Sequence, residues 1–153
     1  MRGRVAFLAL CMLPCTLLRL DAGASERRRP TPTAPAEYLE RVNPVAPSPQ
    51  AFAEAKTIYE RECKKCHGSD GRGRGSATRG MTIKPPDYTN ASSMNARADG
   101  QLAWIILNGS DPDTTEMSAF DNKLSEDDAW KLVLFIREFS RTPVVAADTS
   151  DRQ

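Results

Sequence analysis

The sequence predicts an all-α domain with three main helices and long loops. Apolar residues recur at helical spacing in three segments, and these segments carry start and stop signals typical of helices. No segment alternates apolar and polar residues as a half-buried strand does. The predicted domain covers residues 51–141 of the 153-residue chain, and its first helix begins about two residues earlier. This length is enough for one modest domain.

The first predicted helix runs from about Pro49 to Cys63. Its apolar residues are three or four positions apart and so share one face: Phe52, Ala55, Tyr59 and Cys63. The second begins after Asp99, interpreted as its N-cap, and covers Leu102 to Asn108. Gly109 then supplies the left-handed residue that ends many helices.

The third helix has the clearest start signal. Ser125 with Asp128 three residues later predicts a capping box, and acidic residues in the first turn favour the positive end of the helix dipole. An apolar stripe at helical spacing follows, formed by Ala129, Leu132, Val133 and Ile136.

Three segments lie outside the domain. Residues 1–24 resemble a signal peptide, with a basic start, a short apolar run and a small-residue cleavage site at Ala22-Gly23-Ala24. Residues 25–50 contain six prolines and predict a flexible linker, and residues 142–153 predict a flexible tail. The mature protein is therefore expected in the periplasm, with membrane association only if the leader is retained.

The loops predict a bound cofactor. From Gly68 to Ala98 about thirty residues show little regular pattern, which is unusual in a compact domain of this size. A large apolar group would order such loops by completing the core.

Cys63-Lys64-Lys65-Cys66-His67 identifies that group. Residues three apart project from the same side of a helical turn, so both thiols reach one edge of a haem and His67 lies beside the iron. C-x-x-C-H marks covalent attachment of haem c. A structural zinc site needs four ligands, and a thioredoxin-like dithiol needs a βαβ pattern that is missing here. A plain disulfide leaves the chain's single histidine unexplained.

Met117 is the candidate for the second iron ligand. Thioether sulfur suits haem iron, and ligation by Met and His raises the reduction potential. Met117 lies in a polar loop between two helices without periodic apolar partners, which is not typical of a core methionine. Met81 and Met94 also lie in loops and remain alternatives.

Further segments resemble a known family in the same order along the chain. They are Asp70-Gly71-Arg72-Gly73, Pro85-Pro86-Asp87-Tyr88, Ile106-Leu107-Asn108-Gly109, Glu116-Met117-Ser118-Ala119-Phe120 and the last helix. With C-x-x-C-H they make residues 52–141 similar to a class I cytochrome c, particularly the monohaem bacterial domains of the cbb3-like oxidase-subunit type. Ser118 departs from the proline that usually follows the ligand methionine.

The resemblance implies roles for further residues. It implies that the first and third helices cross near one haem edge, with Tyr59 against the region from Val133 to Ile136. The carbonyl of Pro86, or failing that of Pro85, is expected to accept a hydrogen bond from His67 and so fix its ring. Tyr88 and Trp104 are expected either to line the haem pocket or to pack in the core. One haem c held by Cys63, Cys66, His67 and Met117 would make the protein a single-electron carrier, not an enzyme.

Two alternatives to a free carrier stay open for a haem protein of this kind. The chain is either a dedicated haem subunit of a larger membrane or dehydrogenase complex, or a ligand-binding or peroxidatic protein with an open iron site. A third possibility is an interaction module without a cofactor. Redox proteins are the expected partners, since 21 basic and 20 acidic residues give no reason to expect binding to nucleic acid. Basic residues near Cys63 and acidic residues near Met117 provide an asymmetry that would orient such a partner.

Overall fold

The structure is a computed structural model that describes residues 32–110 and 117–141. The described residues form helices, turns and loops and contain no strand, so the all-α prediction is confirmed. The predicted leader, the first residues of the linker, the tail, and the acidic residues Asp111, Asp113 and Glu116 lie outside the described residues.

The first predicted helix is present and extends beyond Cys63. Helix α1 (Ala36–Leu39) precedes it, and α2 (Pro49–Ile58) begins where Ser48 accepts a hydrogen bond from the Ala51 N–H. A π-helical turn (Tyr59–Cys63) then leads directly into α3 (Lys64–His67). Gly68, with a φ of 80°, ends this continuous helical path immediately after the motif histidine.

The loop after α3 is more structured than the sequence indicated. It contains a 3₁₀ turn (Ser76–Thr78) and a short helix, α4 (Ala91–Asn95). Met94 on α4 is only 1% exposed and joins the core.

The second helix, α5 (Asp99–Asn108), corrects one prediction. Ala98, not Asp99, is the N-cap, and it provides no side-chain capping bond. Asp99 is the first residue of the helix, and its carboxylate instead pairs with Arg137. The predicted stop is confirmed, because α5 ends at Gly109 with a φ of 73°.

The third helix, α6 (Glu126–Glu138), begins with the predicted capping box. Ser125 Oγ accepts from the Asp128 N–H at 3.1 Å, and Asp128 Oδ2 accepts from the Ser125 N–H at 3.0 Å. Its apolar stripe packs on α2 and α5. Tyr59 meets Phe135 of α6 with ring centroids 5.1 Å apart, which confirms the expected contact between the first and third helices.

Residues 32–48 differ from the predicted flexible linker, because they lie against the domain. Ala34 is only 2% exposed, and the Asn43 side chain donates to the Trp130 carbonyl oxygen at 3.0 Å. The Arg41 guanidinium lies over the Tyr38 and Trp130 rings, 5.0 and 5.1 Å from their centroids. The proline-rich composition predicted extended backbone, but the residues between the prolines supply specific contacts.

None of the helices in residues 32–110 and 117–141 combines the length and apolarity needed to cross a membrane.

Arg137 joins α6 to the loop between α4 and α5. Its Nε and Nη2 donate to Asp99 Oδ1 at 2.9 and 2.6 Å. Nη1 also donates to the Met94 carbonyl oxygen at 2.5 Å, and Nη2 donates to the Arg97 carbonyl oxygen at 2.6 Å. One partly buried guanidinium therefore satisfies a carboxylate and two backbone carbonyls that come together where α4 and α5 meet.

We predict that Arg137→Met lowers the free energy of unfolding by about 2–3 kcal/mol, because it leaves three acceptors without this donor. Arg141→Met is the matched control. Arg141 lies one helical turn after Arg137, and its side chain is 64% exposed and pairs with Glu138. Removing an exposed pair of this kind should change the free energy of unfolding by less than about 0.5 kcal/mol. Denaturant unfolding of both variants measures the difference, and equal losses would contradict the role assigned to Arg137.

Candidate functional site

A cavity of about 410 Å³ opens between the motif turn, the long loop and α5. It brings together all five residues singled out from the sequence: Cys63, Cys66, His67, Pro86 and Met117. The two alternative methionines, Met81 and Met94, line it as well. Much of the remaining wall is apolar, including Ile83, Leu102, Ile105, Ile106, Phe120 and Ile136.

The two motif cysteines lie on consecutive turns of one helical path. Cys63 ends the π-helical turn, and Cys66 follows on α3. Both are half-buried free thiols and are not joined in a disulfide. Burial raises the pKa of Cys63 to about 12, with a further contribution from the negative charge of Glu62, so the thiol is neutral at physiological pH.

His67 is the buried histidine of the cavity wall, with only 7% of its surface exposed. Burial lowers its pKa to about 4, so the imidazole is neutral and retains a lone pair for a metal. Its ring stacks on Tyr88, with centroids 4.9 Å apart and planes inclined by 9°. Tyr88 lines the cavity and is also buried in the core, so both roles left open for it apply, whereas Trp104 is half-buried and is not part of the wall.

The expected hydrogen bond between His67 and the Pro86 carbonyl is absent. Nδ1 of His67 is buried and has no hydrogen-bond partner in the described part of the chain. The carbonyl groups of Pro85 and Pro86 instead lie against Gly73, where a Cβ would be 2.3 and 3.1 Å from their oxygens. Gly73 also donates its N–H to the His67 carbonyl oxygen at 2.8 Å. In this structure the contact that orients the His67 ring is stacking on Tyr88.

A second glycine makes room for the ring that supports Tyr88. Gly71 accepts a hydrogen bond from the Tyr88 N–H at 2.8 Å, and its own φ is 70°. A Cβ on Gly71 would lie 2.7–2.9 Å from the Phe139 ring, which in turn stacks on Tyr88 at 6.3 Å. The glycine-rich loop therefore packs backbone closely around the proximal histidine.

Met117 lines the cavity where the residues at the end of α5 hold its backbone. Its carbonyl oxygen accepts from the Ser110 N–H at 3.0 Å, and the Phe120 N–H donates to the Leu107 carbonyl oxygen at 2.9 Å. Gly109 permits this approach, because a Cβ there would lie 2.7 Å from the Met117 oxygen. Met117 is half-buried and packs against the core, while Ser118 beside it is exposed.

Several wall residues were not found by sequence reasoning, among them Pro32 and Ser110. Pro32 reaches the cavity from the predicted linker, residues 25–50. Ser110 carries a buried hydroxyl without a hydrogen-bond partner in the described residues. Neither belongs to a periodic pattern, and the only signal near Ser110 was its position directly after the helix-ending Gly109.

Residues 50–136 match the family described as cytochrome c oxidase, cbb3-type, subunit III. The chain belongs to this family. It is a class I c-type cytochrome. Cytochromes of this type carry covalently bound haem c and transfer electrons through it, as the resemblance implied. None of the curated proteins searched gave a match.

The fold is similar to that of one solved structure in particular. A chain of the Kuenenia stuttgartiensis reducing HAO-like protein complex Kustc0457/Kustc0458 aligns with a TM-score of 0.54 and 28% identity. The alignment covers 64% of this cytochrome and 47% of that chain, so the cytochrome matches about half of the relative's length. The KustC0563 c-type cytochrome aligns at 25% identity over 57% of this cytochrome and 98% of its own chain, with a TM-score of 0.48.

The cavity suits the haem that the family implies. Two free thiols and a neutral imidazole converge on one wall, and the histidine has a buried nitrogen without a hydrogen-bond partner among the described residues. The surrounding wall is largely apolar, which matches the surface of a porphyrin. No three His, Cys, Asp or Glu side chains of the described residues cluster as ligands for a metal ion.

We predict that Gly71→Ala destabilises the cytochrome more than Gly80→Ala. Both glycines have a positive φ, 70° and 83°, so each substitution should cost about 1–2 kcal/mol of backbone strain. Only at Gly71 does the new Cβ also collide with Phe139, because nothing lies within 4 Å of a Cβ at Gly80. The difference between the free energies of unfolding of the two variants measures the cost of the collision with Phe139. Equal free energies of unfolding would contradict the packing described.

Proposed function

We propose that this cytochrome carries single electrons through one covalently bound haem, with His67 and Met117 as axial ligands, outside the cytoplasm. The supporting observation is that Cys63, Cys66, His67 and Met117 face one largely apolar cavity. When bound, haem c supplies an iron centre that alternates between ferric and ferrous states.

The residues of the chain have distinct tasks in this proposal. Cys63 and Cys66 hold the cofactor through two thioethers, and His67 offers a neutral imidazole to the iron. Met117 supplies the second ligand, because the end of α5 fixes its backbone while Met94 is taken up by the core at 1% exposure. One haem follows from one motif, since the chain contains a single histidine.

The surface near the motif supports docking of a redox partner rather than binding of a substrate. Six basic residues of this region are exposed: Lys64, Lys65, Arg72, Arg74, Arg79 and Lys84. Lys65 and Lys84 line the cavity itself, so this positive region includes part of its rim. A partner with an acidic patch would be attracted and oriented by it. We infer that the protein acts as a carrier and not as an enzyme.

A second candidate is a fixed haem subunit of a larger oxidoreductase. The matched family is described as an oxidase subunit, and one structural relative belongs to a protein complex. Purification from the native membrane and soluble fractions distinguishes the two. A free carrier is recovered alone, whereas a subunit co-purifies with larger chains in fixed proportion.

We predict a visible c-haem spectrum with the weak far-red band of ferric iron bound to thioether. Met117→Leu should abolish this band, because leucine keeps the volume but cannot bind iron. Met81→Leu and Met94→Leu are the matched controls and should keep it. Oxidised and reduced spectra of the protein, produced with haem-attachment machinery, measure all four cases.

Three other results of these spectra would each change the proposed function in a different way. Loss of the band in Met81→Leu or Met94→Leu, but not in Met117→Leu, would replace the proposed ligand. A c-haem spectrum without the band in the wild type would favour the ligand-binding alternative. A colourless folded protein would contradict the function altogether.

A further inference from the structure

We propose that residues 32–47 form a wall of the haem cavity and raise the reduction potential by keeping water from the cofactor. These residues, here called the strap, precede the region that matches the family, which begins at residue 50. The inference deepens the proposed function and rests on it for the effect on potential. The docking of the strap rests on contacts of this chain alone.

The strap is attached to the starts of both long helices that follow the loop. The Gln101 side chain on α5 donates to the Pro32 carbonyl oxygen at 3.0 Å. Near α6, Arg41 pairs with Glu126 and lies over the Trp130 ring, while Asn43 donates to the Trp130 carbonyl oxygen. These contacts join residues that are 69 and 87 positions apart in the chain.

Gly100 on α5 is the closest point of approach. A Cβ at this position would lie 1.6 Å from the Tyr38 carbonyl oxygen and 3.3 Å from the Arg41 Cβ. Any residue other than glycine would therefore displace the strap. Glycine is a weak helix former, so its presence in the first turn of α5 is explained by this contact.

From these anchors the strap reaches the cavity. Ala34 is buried at 2% exposure, and Pro32 contributes to the cavity wall together with Leu102 and Ile105 of α5. Ferric haem carries one more positive charge than ferrous haem and gains more from contact with water. An apolar wall that excludes water thus favours the ferrous state and raises the potential.

Release of the strap tests the proposal in the full-length protein. We expect Arg41→Gln combined with Asn43→Ala to increase amide hydrogen exchange across residues 34–43 and to shift the reduction potential downward. Arg141→Gln combined with Asn122→Ala is the matched control, since both residues are exposed, outside the cavity wall and far from the strap in sequence. This control should leave exchange and potential unchanged.

Two further substitutions separate docking from the effect on the cofactor. Gly100→Ala should lower Tm by about 5 °C or more in the wild type, but much less in the released variant, where the Cβ has no strap to displace. Pro32→Glu should lower the potential more than Thr33→Glu, because Pro32 faces the cavity and Thr33 is exposed.

The outcomes distinguish this proposal from the proposed function. Fast amide hydrogen exchange across the strap in the wild type would contradict docking of the strap. Equal Tm changes for Gly100→Ala in the wild type and in the released variant would contradict it as well. Neither result would bear on the presence of the haem. If the strap is released and the reduction potential does not change, the strap does not act as a wall of the haem cavity. Equal effects of Pro32→Glu and Thr33→Glu on the potential would lead to the same conclusion. Absence of a c-haem spectrum in the wild type would instead contradict the proposed function, while exchange and Tm would still report on docking.

Discussion

Tyr59 connects the haem-attachment motif to the core, and the geometry of the site depends on it. Its hydroxyl donates to the Gly68 carbonyl oxygen at 2.7 Å, at the residue that ends α3 directly after His67. Its ring packs between Phe135 and Phe139, with centroid distances of 5.1 and 5.5 Å. Burial raises the pKa of this phenol above its usual range, so it remains a neutral donor. The π-helical turn that begins at Tyr59 and ends at Cys63 is thereby fixed against α6.

The packing of Tyr59 against α6 and Phe139 also supports the cavity wall. Phe139 packs on Tyr59 and stacks on Tyr88, and Tyr88 stacks on His67. The motif histidine is thus held by a series of rings that starts in the crossing of α2 and α6. Gly71 and Gly73 allow the loop to follow this series closely, since side chains there would strike Phe139 and Pro85. The long loop is ordered by close backbone packing around the site, in addition to any cofactor it encloses.

The sequence predicted features that depend on local chemistry. The capping box at Ser125, the stop at Gly109 and the C-x-x-C-H turn each require only a few neighbouring residues, and all are present. Predictions that depended on distant partners were less successful. Asp99 has the composition of an N-cap, but Arg137, 38 positions away, takes its carboxylate. The Pro86 carbonyl was expected to bind His67, yet Gly73 lies against it.

The strap shows why the proline-rich composition of residues 32–47 led to the wrong expectation of a flexible linker. A proline-rich segment loses little entropy when it becomes ordered, because its unfolded chain is already restricted. A few specific contacts therefore suffice to dock it, and they need no apolar periodicity. Here Arg41 and Asn43 supply polar and cation–π contacts, while the position that accommodates the segment is a glycine on α5. The residue in the sequence that indicates docking is Gly100, about sixty residues after the strap. It lies inside a helix, where glycine is unfavourable unless close packing requires it.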